Sequence, residues 1–237
     1  IGHGVVTERD GAYDLTLPDA DAAAYHDAQI TTYADRAYLS LRPPLRLTVR
    51  ARAAGPIRGT AGFGLWNHPF APGERGIRLP RAAWFFYSSP PSDMALALGV
   101  PGPGWKAATI DAARWPFLAL LPLAPPGFLL MRIPALYRAL WPVGQRALNV
   151  SEHMMGEAIP TQTHTYTLDW LPDRVDFHID GACVHTSPYS PRGPLGFIAW
   201  IDNQYAVVTP QGRFRFGLVD VPQAQTLHIE YAGVEAV

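Results

Sequence analysis

The segment FIAWIDNQYAVVTP at 197–210 places polar side chains in the middle of an otherwise apolar run. Asp202, Asn203 and Gln204 follow one another directly, with Trp200 shortly before them and Tyr205 just after. A bare buried carboxylate costs several kcal/mol unless it is paired, so Asp202 requires a partner, a ligand or water. The carboxylate is therefore a candidate acid or base, and the two amides are candidate binding groups.

Two interpretations of this polar cluster carry equal weight on the sequence alone. If the segment is one continuous strand, Trp200, Asp202 and Gln204 share a face and form the floor or rim of a cleft. Asn203 and Tyr205 then lie on the opposite face. If the segment is a tight turn or bulge, Asp202 and Asn203 instead form hydrogen bonds with the local backbone.

The segment GLWNHP at 64–69 supplies a second candidate for acid–base chemistry. His68 is the best-placed titrating side chain if a pocket forms here, although a histidine beside a proline is more often a loop or capping residue. One hypothesis therefore pairs Asp202 with His68 as catalytic acid and base. Aromatic side chains near both segments could stack on sugar rings or hold flat apolar ligands. The predicted ligand-binding residues are Trp66, Asn67, Trp84, Tyr87, Trp200, Asn203, Gln204 and Tyr205.

Metal and cofactor chemistry find little support in the sequence. In SEHMMGE at 151–157, His153 and Glu157 are four residues apart, a spacing that would place them on one face of a helix. A third ligand is not evident, and a helix capped by Ser151 explains the segment as well. The sequence contains no nucleotide-binding loop, dinucleotide fingerprint or nucleophile elbow. We predict no metal and no cofactor.

Composition limits the class of partner. The 237 residues are 48% hydrophobic and carry a net charge of -1, with Lys106 as the only lysine. The chain lacks the basic face expected of a nucleic-acid-binding protein, and we predict a small-molecule or glycan ligand instead. One all-β domain of this length is ordinary and no linker is visible, so residues 1–237 are predicted to form a single domain.

Short strands separated by turn signals must position these groups. Alternation of apolar and polar residues predicts a strand at 45–53, and the segments 164–170 and 174–180 predict a hairpin. The pattern predicts an all-β fold, a two-sheet antiparallel jelly-roll sandwich. Further strands are predicted at 59–67, 82–89, 195–201, 212–219 and 225–235.

Residues 115–156 interrupt the strand pattern with an apolar insertion that we predict to be helical. A membrane-spanning helix needs about 20 consecutive apolar residues, whereas repeated prolines and two arginines break this run. Short helices around 128–141 and 143–156 fit better. We expect the insertion to pack over the mouth of the cleft; the alternatives are a membrane-surface contact through 115–142 and a dimer interface.

The run HTYTLDWLPDRVDFHIDGACVHT at 164–186 resembles a hairpin of the laminarinase-type glycoside hydrolases of family 16. GFGLWN at 62–67 is similar to the strand that precedes the catalytic strand of that family. The resemblance implies a concanavalin A-like jelly roll with a cleft on its concave face. The matched positions are mostly core and turn positions, so they indicate fold more than function. The positions that match the family hairpin are Tyr166, Leu168, Trp170, Pro172, Phe177, Asp180 and Gly181.

The sequence departs from that family at the residues that carry its chemistry. The resemblance implies three acids at alternate positions of one strand, E-x-D-x-E, which would all face the cleft. The corresponding segment, WFFYSSPPSDM at 84–94, has no glutamate. The catalytic residues of the family therefore cannot be assigned to this chain.

Three hypotheses for function follow from these observations. The first is a ligand-binding jelly roll whose aromatic cleft takes a small, partly apolar molecule or a sugar-containing ligand, without family 16 glycosidase chemistry. The second is a divergent hydrolase that uses Asp202 and His68 as acid and base. The third is a structural module that dimerises through the apolar insertion. The sequence leaves open whether the protein is an enzyme and what its oligomeric state is.

Overall fold

The computed structural model describes residues 1–34, 38–69 and 78–237, and it contains two large antiparallel β-sheets. The seven-stranded sheet consists, in spatial order, of β1 (Val5–Arg9), β2 (Ala12–Leu17), β15 (Gln225–Glu235), β4 (Leu45–Ala53), β9 (His164–Trp170), β10 (Val175–Ile179) and β11 (Ala182–Ser187). The six-stranded sheet consists of β3 (Asp27–Thr31), β12 (Gly196–Asp202), β5 (Thr60–Trp66), β6 (Arg81–Ser88), β7 (Gly104–Asp111) and β8 (Ser151–Gly156). A separate hairpin pairs β13 (Gln204–Val208) with β14 (Phe214–Leu218).

The core lies between the two large sheets. On β4, Leu47 and Val49 point inward and are buried, while Arg50 faces solvent, as the alternation of the sequence requires. The six-stranded sheet contributes Phe63 and Phe85, whose rings are 5.6 Å apart and buried. The predicted all-β, two-sheet antiparallel sandwich is confirmed.

The helical insertion follows β7. It contains α1 (Trp115–Leu120), a 3-10 turn (Leu121–Leu123), α2 (Ala124–Leu130) and α3 (Pro134–Ala147). Its strongest anchor is Trp141, which is buried and whose indole Nε1 donates to the backbone oxygen of Leu96 at 2.7 Å. The helices α1 and α2 contain no buried residue, so much of the insertion faces outward.

The prediction that helix extends through 143–156 is wrong for its last residues. Ser151–Gly156 forms β8, which pairs antiparallel with β7 at the edge of the six-stranded sheet. His153 and Glu157 therefore do not share a helical face. Within the described ranges, no group of three or more His, Cys, Asp or Glu side chains is placed to hold a metal.

Candidate binding site on the outer face of the six-stranded sheet

Three neighbouring strands place aromatic side chains on the outer face of the six-stranded sheet. In register, Trp200 of β12 lies opposite Gly62 of β5, which lies opposite Phe86 of β6. Two residues further along, Gly64 lies opposite Trp84. A Cβ added at Gly62 would lie 3.0 Å from the ring of Trp200. The glycines of β5 therefore leave room for rings from both neighbouring strands to lie across it.

These rings form one continuous cluster, which we call the aromatic platform and define as Trp66, Trp84, Phe86 and Trp200. Ring centroids are 5.9 Å apart for Trp66 and Trp84, 5.4 Å for Trp84 and Phe86, and 5.5 Å for Trp84 and Trp200. Trp200 is buried, whereas the other three rings are partly exposed. The platform therefore offers apolar ring surface to a ligand.

A polar chain extends the platform beyond Trp66. The indole nitrogen of Trp66 donates to the hydroxyl of Tyr33, and that hydroxyl lies 3.2 Å from Nδ1 of His68. The ring of His68 also makes an edge contact with Trp66, at 5.3 Å between centroids. Burial raises the pKa of Tyr33, so its hydroxyl stays protonated as a hydrogen-bonding group.

Asn67, a predicted ligand-binding residue, uses its side-chain amide to connect two strands. Its side chain is buried, donates to the backbone oxygen of Leu79 at 3.0 Å and accepts from the backbone nitrogen of Arg81 at 2.9 Å. Both ends of the amide are therefore used to tie the end of β5 to the start of β6. Asn67 therefore has a structural role here, and its predicted part in ligand binding stays a prediction.

Asp202 stabilises the end of β12. Its Oδ1 accepts from the hydroxyl of Thr60 at 2.8 Å, from the backbone nitrogen of Thr60 at 3.3 Å and from that of Gln204 at 3.0 Å. Burial raises the pKa of Asp202 to about 6, and the hydrogen bond from the Thr60 hydroxyl opposes that shift. This geometry favours the interpretation of Asp202 as a group that braces a bend.

The chain leaves the six-stranded sheet at Asn203, so the alternation predicted across 200–205 stops there. The side chain of Asn203 is buried, accepts from the backbone nitrogen of His26 and donates to the backbone oxygen of Ala24. Gln204 and Tyr205 begin the separate hairpin, where the ring of Tyr205 packs against Gly217. Asn203, Gln204 and Tyr205 are therefore not part of the platform.

Asp202 and His68 lie at opposite ends of the sheet. Asp202 pairs with Thr60 at the start of β5, whereas His68 follows Trp66 at its end. Thr60 and Trp66 are six residue steps apart along an extended strand, a distance of about 20 Å. A catalytic acid and base must both reach the same reacting bond. At this separation Asp202 and His68 cannot do so, and the structure does not bring the predicted pair together.

Tyr87 is another predicted binding residue that the structure places elsewhere. It belongs to the inner face of β6, in the core, and its hydroxyl donates to the backbone oxygen of Ile57 at 3.1 Å. Phe86, its neighbour, takes the outward position instead. Strand alternation places Phe86 on the same face as Trp84. Because the run is continuously aromatic, the sequence does not show which of its two faces points to the core.

A second carboxylate lies beside Asp202. Asp27 of β3 is paired with Asp202 in register, and both side chains are buried. The pKa of Asp27 is raised to about 7, mainly by burial and to a smaller extent by the neighbouring carboxylate of Asp202. This pair could not be predicted from the sequence, because the two residues are far apart in the chain and meet only through strand pairing.

The only lysine forms a buried ion pair beside the platform. Lys106 lies opposite Phe86 in register, is 1% exposed, and its Nζ lies 3.6 Å from a carboxylate oxygen of Glu152. The same Nζ donates to the backbone oxygen of Met94 at 3.1 Å. Burial lowers the pKa of Lys106 and raises that of Glu152, while their mutual attraction opposes both shifts.

The outward positions of β6 carry no carboxylate. They are Ala82, Trp84, Phe86 and Ser88, as follows from the inward burial of Ala83 and Phe85. The strand at the position expected for the catalytic strand of family 16 therefore presents aromatic rings where the resemblance implies acids.

The fold is similar to those of solved carbohydrate-active enzymes. One of these structures comes from work on endo-acting O-glycanases that members of the human gut microbiota express to initiate mucin breakdown. It is 12% identical over 100% of this chain and 84% of that chain, with a TM-score of 0.55. This likeness supports the jelly-roll fold that the sequence predicted.

Two further structures show a weaker likeness. A GlcNAcα1-4Gal-releasing endo-β-galactosidase from Clostridium perfringens is 14% identical over 98% of this chain and 53% of that chain, with a TM-score of 0.49. A laminarinase from Flavobacterium sp. UMI-01 is 15% identical over 97% of this chain and 80% of that chain, also with a TM-score of 0.49. No protein-family model and no curated protein matches the sequence significantly.

Proposed function

We propose that the protein binds a sugar-containing, partly apolar ligand on the aromatic platform, without family 16 glycosidase chemistry. One observation carries this proposal: partly exposed rings occupy the outward positions of β6, where a glycosidase of that family would need carboxylates. The likeness to a structure described for mucin-acting O-glycanases makes a glycan the first ligand class to test.

The chemistry of the platform suits the apolar faces of sugar rings. Trp84 and Phe86 are stacked at an interplanar angle of 25°, so they present a nearly continuous apolar surface. Ring stacking provides affinity with little loss of side-chain freedom. The Tyr33 hydroxyl and the His68 ring beyond Trp66 are polar groups that could give direction to the ligand.

The insertion lies close to segments that follow β5 and β12, which favours a ligand with an apolar part. Leu118 of α1 lines a cavity of about 340 Å³ together with Asn67, at the end of β5. Phe128 of α2 contacts Phe214 of the hairpin that follows β12, with ring centroids 5.5 Å apart. An alkyl or lipid chain attached to the sugar would therefore meet apolar side chains beyond the platform.

Calorimetric titration with an alkyl glycoside, below its micelle concentration, tests this proposal against the free sugar with the same head group. We expect the alkyl glycoside to bind more tightly, and Trp84→Ala to weaken its binding about tenfold because ring stacking is lost. Tyr231→Ala is the matched control, since Tyr231 is an exposed aromatic residue on the outer face of the seven-stranded sheet. Equal affinity in the wild type and Trp84→Ala, with both folded, would contradict the proposal.

The divergent-hydrolase hypothesis needs a different pair of groups from the one predicted. Asp27 and Asp202 are a pair of neighbouring carboxylates, and the hydroxyl of Thr60 joins Asp202 to the indole nitrogen of Trp200. Both carboxylates are nevertheless buried, which closes them to a polysaccharide. We therefore expect no release of reducing sugar from laminarin or lichenan. Turnover that disappears in Asp202→Asn but persists in Trp84→Ala would establish hydrolysis at the buried pair instead.

A further inference from the structure

The insertion and the neighbouring hairpin expose an unusual number of large apolar side chains. Trp115 is 76% exposed and Phe216 is 67% exposed. Large exposed apolar patches on soluble proteins mark sites of contact with other molecules. We call this set the apolar surface; it consists of Trp115, Leu118, Leu121, Leu123, Leu129, Leu130, Ile133, Leu140, Val143, Phe214 and Phe216.

Helix α3 is packed against the rest of the protein on one side, so the exposed apolar side chains do not result from a loosely attached helix. Trp141 points inward and is held by its hydrogen bond to Leu96, and Gln145 accepts from the backbone nitrogen of Leu98 at 3.0 Å. Leu140 and Val143 lie on the other side of the same helix and are exposed. The helix therefore has a face anchored to the protein and a separate apolar face directed outward.

The charge of the insertion is entirely positive. Between Asp111 and Glu152 the sequence contains no acidic residue, although the whole chain has a net charge of -1. The arginines of this stretch are Arg114, Arg132, Arg138 and Arg146, and the last three are exposed. Exposed aromatic and aliphatic side chains interspersed with cations are typical of protein surfaces that lie in the interface of an anionic membrane.

We propose that the apolar surface docks on the surface of an anionic phospholipid bilayer. Trp115 and Phe216 would insert at the level of the headgroups, and Arg132, Arg138 and Arg146 would contact lipid phosphates. Among the described residues, no helix is long and apolar enough to cross a membrane, so the contact is with one leaflet.

Charge favours a bilayer over a second copy of this chain as the occupant. Two copies that met through this surface in a symmetric contact would bring their exposed arginines together without an acidic partner from either insertion. Like charges brought together in an interface oppose association. An anionic bilayer covers the same apolar side chains and neutralises the arginines.

Co-sedimentation with vesicles of phosphatidylcholine alone, or with about 30% phosphatidylglycerol, tests the proposal directly. We expect stronger binding to the anionic vesicles and weaker binding as salt concentration rises, because screening reduces the attraction of the arginines. Arg132→Gln with Arg138→Gln should reduce binding on the order of 30-fold. Trp115→Ser with Leu129→Ser should reduce it about tenfold or more.

The opposite side of the sandwich offers a matched control. Tyr231 and Arg50 are paired in register on the outer face of the seven-stranded sheet, and both are exposed. Tyr231→Ser with Arg50→Gln removes one aromatic ring and one arginine there, and vesicle binding should be unchanged. Thermal melts of all variants show whether each is folded.

Three outcomes would overturn the proposal: no vesicle binding, equal binding to neutral and anionic vesicles, or equal loss in the control variant. A concentration-dependent dimer that Trp115→Ser abolishes, without vesicle binding, would assign the surface to self-association instead. These vesicles carry no sugar ligand, so the result is independent of the function proposed for the platform. Trp84→Ala should bind vesicles like the wild type.

Discussion

Phe85 and Trp84 are neighbours on one strand, yet they belong to opposite faces of the six-stranded sheet. Phe85 is 1% exposed, because the seven-stranded sheet covers the inner face with rings such as Tyr166 and Phe177. Trp84 also contacts three other rings, but it remains partly exposed. Aromatic content is therefore similar on the two faces, and what differs is whether another layer of protein covers it.

This difference separates stability from binding. Rings enclosed between two sheets contribute burial free energy to folding and are inaccessible to a ligand. Rings on the outer face keep part of their apolar area in water, and that area becomes favourable only when a ligand covers it. Substitutions on the two faces of β6 should consequently have different effects on the free energy of unfolding and on ligand affinity.

The largest expected effect is on the inner face. Phe85→Ala should lower the free energy of unfolding by about 3–5 kcal/mol, because it leaves a cavity in the core. Urea denaturation measures the change. Trp84→Ala is the comparison on the outer face and should cost about 1–2 kcal/mol, since part of its ring is already in water. Equal losses for the two variants would remove the distinction between the faces.

The buried carboxylates predict a pH effect at the other end of the sheet. Asp27 has a pKa of about 7 in the folded protein, above its ordinary value of 3.8. As pH rises from about 4 to about 7, the unfolded chain loses this proton more readily than the folded protein does, so stability falls. Asp27→Asn lacks this titrating group. Its free energy of unfolding should therefore fall by about 2–4 kcal/mol less than that of the wild type between pH 4 and pH 7.

Urea denaturation of the wild type and Asp27→Asn at several pH values measures this difference. Parallel stability profiles would show that the Asp27 carboxyl is not shifted. A wild type that gains stability relative to the variant as pH rises would contradict the sign of the shift.

A smaller effect is expected for Asp202, which the structure assigns to the bend at the end of β12. Asp202→Ala removes the acceptor for the backbone nitrogens of Thr60 and Gln204, and it should lower the free energy of unfolding by about 1–2 kcal/mol. The measurement belongs at pH 5, where Asp27 keeps its proton and the two charges do not interact. Ligand affinity should be unchanged, and a loss of affinity without a loss of stability would restore Asp202 to the binding site.

The fold could be predicted because strand alternation is a local signal. LRLTVRARA at 45–53 coincides with β4, and QTLHIEYAGVE at 225–235 coincides with β15. SEHMMGE was misassigned because Ser151 resembles a helix cap, while strand pairing with β7 determines its conformation. Tertiary pairing of this kind overrides local propensity at sheet edges.

The candidate site was only partly predictable. Trp66, Trp84 and Trp200 were predicted to line one cleft, and the structure places their rings in one cluster. Asp202 and His68 were paired because the sequence does not reveal that they lie at opposite ends of β5. Tyr33 was missed because only folding brings it from the segment after β3 to the indole of Trp66.

The most direct test of the central claim compares the tryptophans of the two faces within one molecule. The protein has seven tryptophans, which can be labelled with 5-fluorotryptophan and assigned by single Trp→Phe variants. On titration with an alkyl glycoside, the ¹⁹F signals of Trp66 and Trp84 should shift, while those of Trp105 and Trp170, which are 1% and 0% exposed in the core, should stay in place. Shifts confined to the core tryptophans or to Trp115, with Trp66 and Trp84 unchanged, would contradict the claim that the outer face of the six-stranded sheet is the binding surface.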